Sequence, residues 1–249
     1  MKQGGRLARL LDVDPDLAEG LEERDRLLAR QRLVVPAITL EPGQWDPHAT
    51  LGRGDDVLGV LIAEGLLLRE VVLVQSTCGE LLGPGDVIRP WHTGTGESLL
   101  SHIEWRVLST TTMLVLHRKL LTWMAPWPQV TMALTARAVT RAQTLALVLA
   151  ISCIRGLEVR LLALLWHLAD GFGRVGREGV IVPLPLTHEV IGRLAGATRP
   201  SVTTALGHLE RQGSISKRLG GGFVLHGAPP DLTGLVDVPG TRSAGDRPA

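Results

Sequence analysis

The chain has 249 residues, a formal net charge of +1, and 45% hydrophobic and 20% charged residues. This length is enough for two domains, and the composition is typical of a folded globular protein, which excludes a largely disordered chain. Two cysteines, Cys78 and Cys153, exclude a disulfide framework or a cysteine-only iron-sulfur site, so we expect two unpaired thiols in a reducing cytoplasm.

The sequence predicts neither a signal peptide nor a membrane-spanning helix. Met1–Leu11 is basic and lacks a long apolar core. The most hydrophobic run, Ala142–Ile154, is shorter than the roughly 20 residues that a spanning helix needs, and arginines flank it. Three lysines against 23 arginines indicate a bacterium with GC-rich DNA. We therefore expect a cytoplasmic bacterial protein without membrane contact.

The first half of the chain predicts helices followed by a β barrel or roll. Residues 7–30 alternate apolar and charged positions at helical spacing, which predicts N-terminal helices broken near Pro15. From Leu33 to about Leu116 short apolar runs alternate with turn residues. Three such turn signals fall between the strand-like runs: Pro42-Gly43, Glu64-Gly65 and Pro84-Gly85-Asp86.

A long helix is predicted next, from Pro128 to about Ser152. Its 25 residues would span about 37 Å, which is more than one small domain requires. One possible apolar stripe consists of Leu134, Ala138, Arg141, Leu145, Val148 and Ser152. The second half is apolar on nearly all sides, which predicts contact with its own domain and with another chain. The alternative is a helix buried within one domain.

A domain boundary is expected at Cys153–Gly156, where Arg155-Gly156 interrupts the helical pattern. The sequence LEVRLLALLWHLADGFG then predicts an amphipathic helix that ends between Asp170 and Gly173.

The segment Leu186–Leu225 predicts two short helices and a wing. Thr187 is an expected N-cap of a helix ending near Ala195, and Gly196 marks the turn. Thr198 is a second expected N-cap, followed by Pro200 in the first turn. The second helix would bury Val202, Ala205, Leu206 and Leu209, and the wing would pair Ile215 with Phe223–Leu225 around Gly220–Gly222.

The other face of the second helix carries short polar and basic groups that suit a DNA major groove and its phosphates. They are Arg199, Ser201, Thr203, Thr204, Gly207, His208 and Arg211. Between Thr187 and His226 five basic and two acidic residues give a local net charge of +3. This pattern is typical of a winged helix-turn-helix that binds DNA; the alternative is an ordinary helical hairpin with a solvated basic face.

The order of these parts over residues 5–226 resembles the Crp/Fnr family of bacterial transcription regulators, of which the catabolite activator protein is a member. The most specific matches are LTHEVIGRLAGATRPSVTTALGHLERQGSI, IRGLEVRLLALLWHLA and LLGPGDVI. The resemblance implies an α+β fold and a homodimer that pairs its long helices and binds pseudo-palindromic sites. The expected parts are a cyclic-nucleotide-binding-like β-roll sensor domain (1–127), a dimerisation helix (128–152), a winged helix-turn-helix (153–226) and a disordered tail (227–249).

The resemblance also implies roles for particular residues of the DNA-binding unit. The base-reading positions fall on Arg199, Pro200, Thr203 and Thr204. Arg199 keeps the usual arginine, whereas Pro200 and Thr204 stand where a glutamate and a second arginine are common, so we expect a different operator. Ser201, His208, Lys217 and Arg218 would be phosphate contacts or, alternatively, solvated surface residues.

The regulatory domain departs from cyclic-nucleotide-binding members of the family. Arg89-Pro90-Trp91 follows the glycine turn, and Glu97–His102 replaces the later segment, so the ribose acid and the phosphate arginine are both missing. We therefore expect no tight binding of cyclic AMP and no usual response to it, unless Arg89 replaces the missing arginine from a new direction. Either an unknown effector binds among the candidate residues or the pocket is collapsed and DNA binding is constitutive; the candidates are Arg89, Trp91, His92, Gln143 and Thr144.

The sequence thus predicts a dimeric regulator that binds double-stranded DNA, with RNA polymerase as a candidate partner and an unknown small-molecule effector. It offers no nucleophile-base pair, no metal-ligand spacing and no phosphate-binding glycine-lysine loop, so we expect neither an enzyme nor a bound cofactor or metal. The alternative function is a ligand- or protein-binding sensor whose DNA-binding unit is vestigial.

Overall fold

The computed structural model of the chain describes residues 6–52, 56–73, 76–91 and 101–232. The chain divides into two compact units, residues 1–149 and 150–249. This division lies a few residues before the expected boundary at Cys153–Gly156. His92, most of the segment Glu97–His102 and most of the expected tail lie outside the described residues.

The described part of the first unit begins with a strand, which the sequence did not predict. The elements are β1 (Arg6–Arg9), α1 (Leu10–Val13), a 3₁₀ turn (Pro15–Ala18), α2 (Glu23–Arg32) and β2 (Val34–Leu40). Prediction of a helix from residue 7 was wrong for Leu7–Arg9, because β1 pairs antiparallel with β2 and places Leu7 opposite Pro36. This pairing across the chain overrides the local pattern. The break near Pro15 is confirmed.

Seven antiparallel strands within the described residues form the expected β roll. The remaining elements of the roll are β3 (Gly43–Gln44), α3 (Pro47–Leu51), β4 (Val57–Leu73), β5 (Ser76–Leu82), β6 (Val87–Ile88) and β7 (Ser101–His117). The strand order is β1-β2-β7-β4-β5, with β3 paired to β7 and β6 paired to β4. The predicted roll is confirmed.

One expected turn of the roll is a bulge inside a strand. Glu64-Gly65 lies within the 17-residue β4, where the pairing with β7 shifts register on both sides of Glu64. Gly65 has a φ of +95°, and a Cβ atom there would overlap the hydroxyl of Thr111. The residue therefore bends β4 where β7 approaches closely, instead of ending the strand.

Two apolar clusters hold the first unit together. One joins the N-terminal helices to the roll and includes Leu17, Leu33 and Leu114. The other includes Trp45 and Trp105, whose rings meet edge to face with centroids 5.6 Å apart. Since both tryptophans are buried in that cluster with aliphatic neighbours, this part of the roll is apolar and closely packed.

The long helix has the predicted bounds. After α4 (Lys119–Met124), α5 runs from Pro128 to Ser152. Its first turns pack on the first unit, because Val130 is buried in the same cluster as Leu17. Two arginines attach it further: Arg137 donates to Asp14 at 2.9 Å, and Arg141 donates twice to Glu80, at 2.9 Å each.

A second face of α5 is exposed and apolar. Its residues follow alternating steps of three and four, the spacing of a coiled-coil contact. We call this face the α5 seam; it consists of Met132, Thr135, Val139, Ala142, Ala146 and Leu149. Met132 is 70% exposed, Val139 54% and Leu149 64%. The stripe expected from sequence lies partly elsewhere, since Arg141 faces the roll through its ion pair with Glu80.

By length and composition alone, α5 meets the criteria for a helix that crosses a membrane. It carries Arg137 and Arg141, and both form ion pairs with acids of the first unit.

The second unit packs three helices against a small sheet. Its elements are α6 (Leu157–Phe172), β8 (Arg174–Val175), β9 (Val180–Val182), α7 (His188–Ala195), α8 (Arg199–Arg211), β10 (Ile215–Lys217) and β11 (Phe223–Leu225). The strands form an antiparallel sheet in the order β10-β11-β9-β8. The predicted helices and wing strands are confirmed, and the predicted end of α6 is confirmed at Phe172.

Candidate nucleic-acid interface

The turn between α7 and α8 is fixed by local chemistry. The Thr187 hydroxyl accepts a hydrogen bond from the Val190 amide at 3.2 Å, which caps α7. Gly196 ends the helix in the left-handed conformation, with φ +62° and ψ +44°. Gly192 lets the turn approach α7, because a Cβ atom there would lie 2.5 Å from the Ala197 carbonyl oxygen. Only a residue without a side chain fits at this contact.

Arg160 of α6 supports this turn from behind. Its guanidinium donates to the Ile154 carbonyl at 2.8 and 3.0 Å and to the Ala195 carbonyl at 3.1 Å. Ala195 is the last residue of α7, so the side chain satisfies a carbonyl that the helix itself leaves without a partner. No local pattern predicts this contact, because it joins positions 35 residues apart.

Helix α8 has one buried and one exposed face, as predicted. Val202, Ala205, Leu206 and Leu209 are buried. The exposed residues are Arg199, Pro200, Ser201, Thr203, Thr204 and Arg211. Gly207 and His208 were expected to be exposed on this face, but both are half-buried. Most of the predicted DNA-reading face is therefore accessible to a partner.

Arg199 begins the exposed face of α8. No hydrogen bond or ion pair joins its guanidinium to another side chain in the part of the chain that the structure describes. Thr198, the preceding residue, caps the helix and hydrogen-bonds through its hydroxyl to that of Ser201 at 2.9 Å. The guanidinium of Arg199 is thus available for two parallel hydrogen bonds to a guanine or for a phosphate.

The two threonines of α8 differ in their hydrogen bonds. The Thr204 hydroxyl donates to the Pro200 carbonyl at 3.2 Å. The Thr203 hydroxyl donates to the Arg199 carbonyl at 2.9 Å and also lies 2.8 Å from Nδ1 of His188. His188 begins α7, so this second contact joins the two helices of the motif.

His188 was missed by the sequence reasoning, because its partner lies 15 residues away on another helix. Burial lowers the pKa of His188, and the nearby cations of Lys217 and Arg199 lower it further, while Glu210 acts in the opposite direction. The imidazole therefore lies among the charged groups of α8 and β10. The sequence indicates only that His188 lies in the first turn of α7, and this position does not identify its partner on α8.

His208 is engaged within the protein. Its Nδ1 lies 2.6 Å from Oε1 of Glu158 on α6, and both side chains are partly covered. A contact between His208 and a DNA phosphate would therefore compete with this interaction.

The wing carries two exposed cations. Lys217 forms an ion pair with Glu210 at 2.9 Å, and Arg218 follows it at the start of the turn. The turn closes through the Gly221 amide, which donates to the Arg218 carbonyl at 3.1 Å. Gly220, Gly221 and Gly222 all have positive φ values, which explains the glycine run. The wing places both cations on a short, exposed hairpin.

The residues expected to hold an effector are not joined by any hydrogen bond or ion pair in the described ranges. Arg89 is exposed, with its guanidinium carbon 6.0 Å from the centre of the Trp91 ring. Gln143 and Thr144 are exposed on α5. His92 lies outside the described residues. Within those residues no group of three or more His, Cys, Asp or Glu could hold a metal ion, and Cys78 and Cys153 are exposed thiols.

Comparison with known proteins identifies the second unit. Residues 159–228 match the family described as the Crp-like helix-turn-helix domain. The regulatory protein CysR of Synechococcus elongatus is 38% identical over 73 residues, which are 28% of this chain and 35% of CysR. The matched part thus spans about a third of that relative's length.

Solved structures with the same fold extend over both units. A cyclic nucleotide-binding domain containing protein from Listeria monocytogenes has a TM-score of 0.61 at 14% identity, covering 76% of this chain and 88% of that one. A CRP-family transcriptional regulator from Thermus thermophilus has a TM-score of 0.55 at 18% identity, covering 76% and 91%. At these identities the likeness shows the fold, and it confirms the predicted combination of a cyclic-nucleotide-binding-like roll with a helix-turn-helix.

Proposed function

The chain carries a Crp-like helix-turn-helix domain within a Crp/Fnr-type fold, and from this premise we propose that it is a dimeric transcription regulator that binds double-stranded DNA at specific sites. The exposed face of α8 carries the proposal. It presents the guanidinium of Arg199 and two threonines, while its other face is buried in the unit. Short polar side chains that follow one arginine along an exposed helix face can hydrogen-bond to the edges of bases in a major groove.

The proposed DNA contacts divide into two classes. Arg199, Pro200, Thr203 and Thr204 would face the bases, and the hydroxyl of Ser201 and the wing cations Lys217 and Arg218 would face phosphates. His208 would contact a phosphate only at the expense of its contact with Glu158. Phosphate contacts position the protein and add affinity at every sequence, whereas base contacts decide which sequence is bound.

Dimerisation is proposed through the α5 seam. Met132, Val139 and Leu149 expose large apolar side chains at coiled-coil spacing, and alanines between them allow two helices to approach closely. A two-fold dimer would present two copies of α8 to two half-sites of a pseudo-palindromic operator. This arrangement accounts for an apolar face that the chain itself leaves uncovered.

The dimer is tested by charging the seam. Val139→Glu should convert the protein to a monomer in sedimentation-velocity measurements, because two carboxylates would meet at the centre of the contact. Leu121→Glu is the matched control, since Leu121 is an exposed leucine of α4 outside the seam. A Val139→Glu protein that sediments like the wild type would refute the proposed interface.

For the N-terminal unit we propose a sensor role with an effector other than a cyclic nucleotide. The described interior of the roll is apolar around Trp45 and Trp105, and Arg89 is exposed. Within the described residues Arg89 does not supply the buried cation that a cyclic phosphate would need as a partner. Arg89, Trp91, Gln143 and Thr144 remain the proposed effector residues, together with His92. We also propose that the protein is cytoplasmic and that it contacts RNA polymerase.

The experiment that tests DNA binding is a titration of labelled duplex followed by fluorescence anisotropy over a range of salt concentrations. Binding should weaken steeply with salt, and the double substitution Lys217→Ala and Arg218→Ala should make the dependence shallower by about one unit of slope for each lost contact. Arg24→Ala, which removes an exposed cation from α2, should leave the slope unchanged. Absence of binding at low salt, together with stabilisation by a small molecule, would favour the sensor with a vestigial DNA-binding unit.

A further inference from the structure

The contact between His188 and Thr203 determines what Thr203 can offer to a ligand. A threonine hydroxyl has one proton to donate and two lone pairs to accept with. The Arg199 carbonyl can only accept, so the 2.9 Å bond to it uses the proton of Thr203. The 2.8 Å bond to His188 must then use a proton on Nδ1, donated to the hydroxyl oxygen. One lone pair of Thr203 is left.

The other protonation pattern leads to the same result. If Nδ1 of His188 carries no proton, the hydroxyl of Thr203 donates to it, and the bond to the Arg199 carbonyl is given up. The proton is used inside the protein in both cases. Thr203 therefore faces a ligand as a hydrogen-bond acceptor, with its methyl group beside the oxygen.

Thr204 provides the contrast within the same helix. Its hydroxyl has one intrahelical bond, at 3.2 Å to the Pro200 carbonyl, and no second bond in the described part of the chain. This bond is longer than the 2.9 Å bond of Thr203, and no contact from another helix holds the Thr204 hydroxyl in the described part of the chain. Thr204 is thus free to donate or accept, whereas Thr203 is held from two sides.

We infer that His188 is a positioning residue that makes Thr203 an obligate acceptor, so that this position of α8 selects adenine or cytosine over guanine or thymine on the strand it faces. In the major groove, adenine and cytosine present amino groups that donate, while guanine and thymine present acceptors. The inference rests on the proposed function, because it concerns the DNA-reading face, and it assigns a role to a residue outside that face.

The test is selection of bound duplexes from a randomised library by the full-length protein and four variants. Thr203→Val removes the hydroxyl at nearly constant shape and identifies the position that Thr203 reads. His188→Ala removes the second bond and should lower the preference for adenine or cytosine there by about fivefold. His188→Asn offers an amide N–H in place of Nδ1 and should restore most of it. Thr204→Val, the matched control, should leave this position unchanged.

The outcomes separate the inference from the proposed function. A wild-type protein that selects no site overturns the proposed function. A selective wild type whose preference at the Thr203 position is guanine or thymine, or is unchanged in His188→Ala, overturns the inference alone. Thermal melting of each variant shows whether it is folded, and rescue by His188→Asn would not follow from a merely structural role.

Discussion

The two units of the chain use their arginines in opposite ways. In the first unit Arg137 and Arg141 are paired with carboxylates of the same unit, Asp14 and Glu80, and Arg69 adds a third hydrogen bond to Glu80 at 3.1 Å. In the second unit Arg199 and Arg218 are exposed on the helix and wing of the motif. These three arginines of the first unit thus hold its own elements together, whereas Arg199 and Arg218 of the second are presented to solvent.

This difference explains how a chain with a net charge of only +1 can be a DNA-binding protein. Binding depends on the charge that one surface presents, and cations paired with largely buried carboxylates, such as Arg137 and Arg141, contribute little to it. It also separates two kinds of mutational effect. Loss of Arg137 or Arg141, whose carboxylate partners are largely buried, should reduce stability, and loss of Arg199 or Arg218 should reduce binding.

The largest expected effect is on the stability of the second unit. Gly192→Ala should lower the free energy of unfolding by about 3 kcal/mol, because the new methyl group would overlap a backbone oxygen that cannot move without displacing the turn. Chemical denaturation measures the change. Gly207→Ala is the matched control: a Cβ atom there meets nothing within 4 Å, so the substitution should stabilise α8 by about 0.5–1 kcal/mol. Equal destabilisation by both variants would contradict the described turn.

The next effect concerns the charge pairs of the first unit. Arg141→Ala should destabilise it by about 2 kcal/mol, because Glu80 is largely buried and would lose two of its hydrogen bonds. Denaturation curves with a probe in the roll, such as tryptophan fluorescence, measure this loss. Arg26→Ala is the control, since its ion pair with Glu23 is exposed and should contribute little. DNA affinity of folded Arg141→Ala should stay near that of the wild type.

Arg199→Ala should have the opposite effect to Arg141→Ala, because it should change DNA binding and not stability. Its stability should be unchanged, and its affinity for the selected operator should fall by about 1–3 kcal/mol, with relaxed specificity at one position. Competition between the operator and random duplex measures both quantities. Arg24→Ala has the same change in charge on an exposed helix of the first unit and should bind normally. An Arg199→Ala protein that retains full selectivity would contradict the assignment of α8 as the reading helix.

The smallest effect is a dependence of stability on pH. Burial lowers the pKa of His167 on α6, with Asp170 acting in the opposite direction. The unfolded chain therefore binds a proton more readily than the folded one, so stability is complete above the ordinary histidine pKa of 6.5 and falls as the pH drops below it. The Tm measured between about pH 7.5 and pH 5.5 should fall less in His167→Gln than in the wild type. An equal fall in Tm for the wild type and His167→Gln would show that His167 does not cause the pH dependence.

The second unit was predictable because its signals are local. Thr187, Thr198 and Gly196 specify caps and a turn through neighbours within four residues, so the sequence predicts α7 and α8 almost to the residue. The roll depends on pairings between distant segments. Leu7 therefore joined a strand instead of a helix, and Gly65 became a bulge instead of a turn, because β2 and β7 decide their conformations.

The candidate site also combines features that local sequence predicts with contacts between distant residues that it does not predict. Exposure of Arg199, Thr203 and Thr204 follows from helical periodicity, which the sequence contains. The contacts of His208 with Glu158 and of His188 with Thr203 join separate helices, and periodicity says nothing about them. The effector residues were expected from resemblance, and in the described ranges no hydrogen bond or ion pair joins them.

The central claim is that the second unit reads DNA sequence for a dimer held by α5. Selection of genomic fragments by the purified full-length protein, followed by sequencing, tests it most directly. We expect enrichment of a few fragments that share a two-fold symmetric motif with half-sites about one helical turn apart, and loss of this enrichment in Arg199→Ala but not in Arg24→Ala. Fragments enriched no more than random DNA, by a protein that is folded and dimeric, would contradict it.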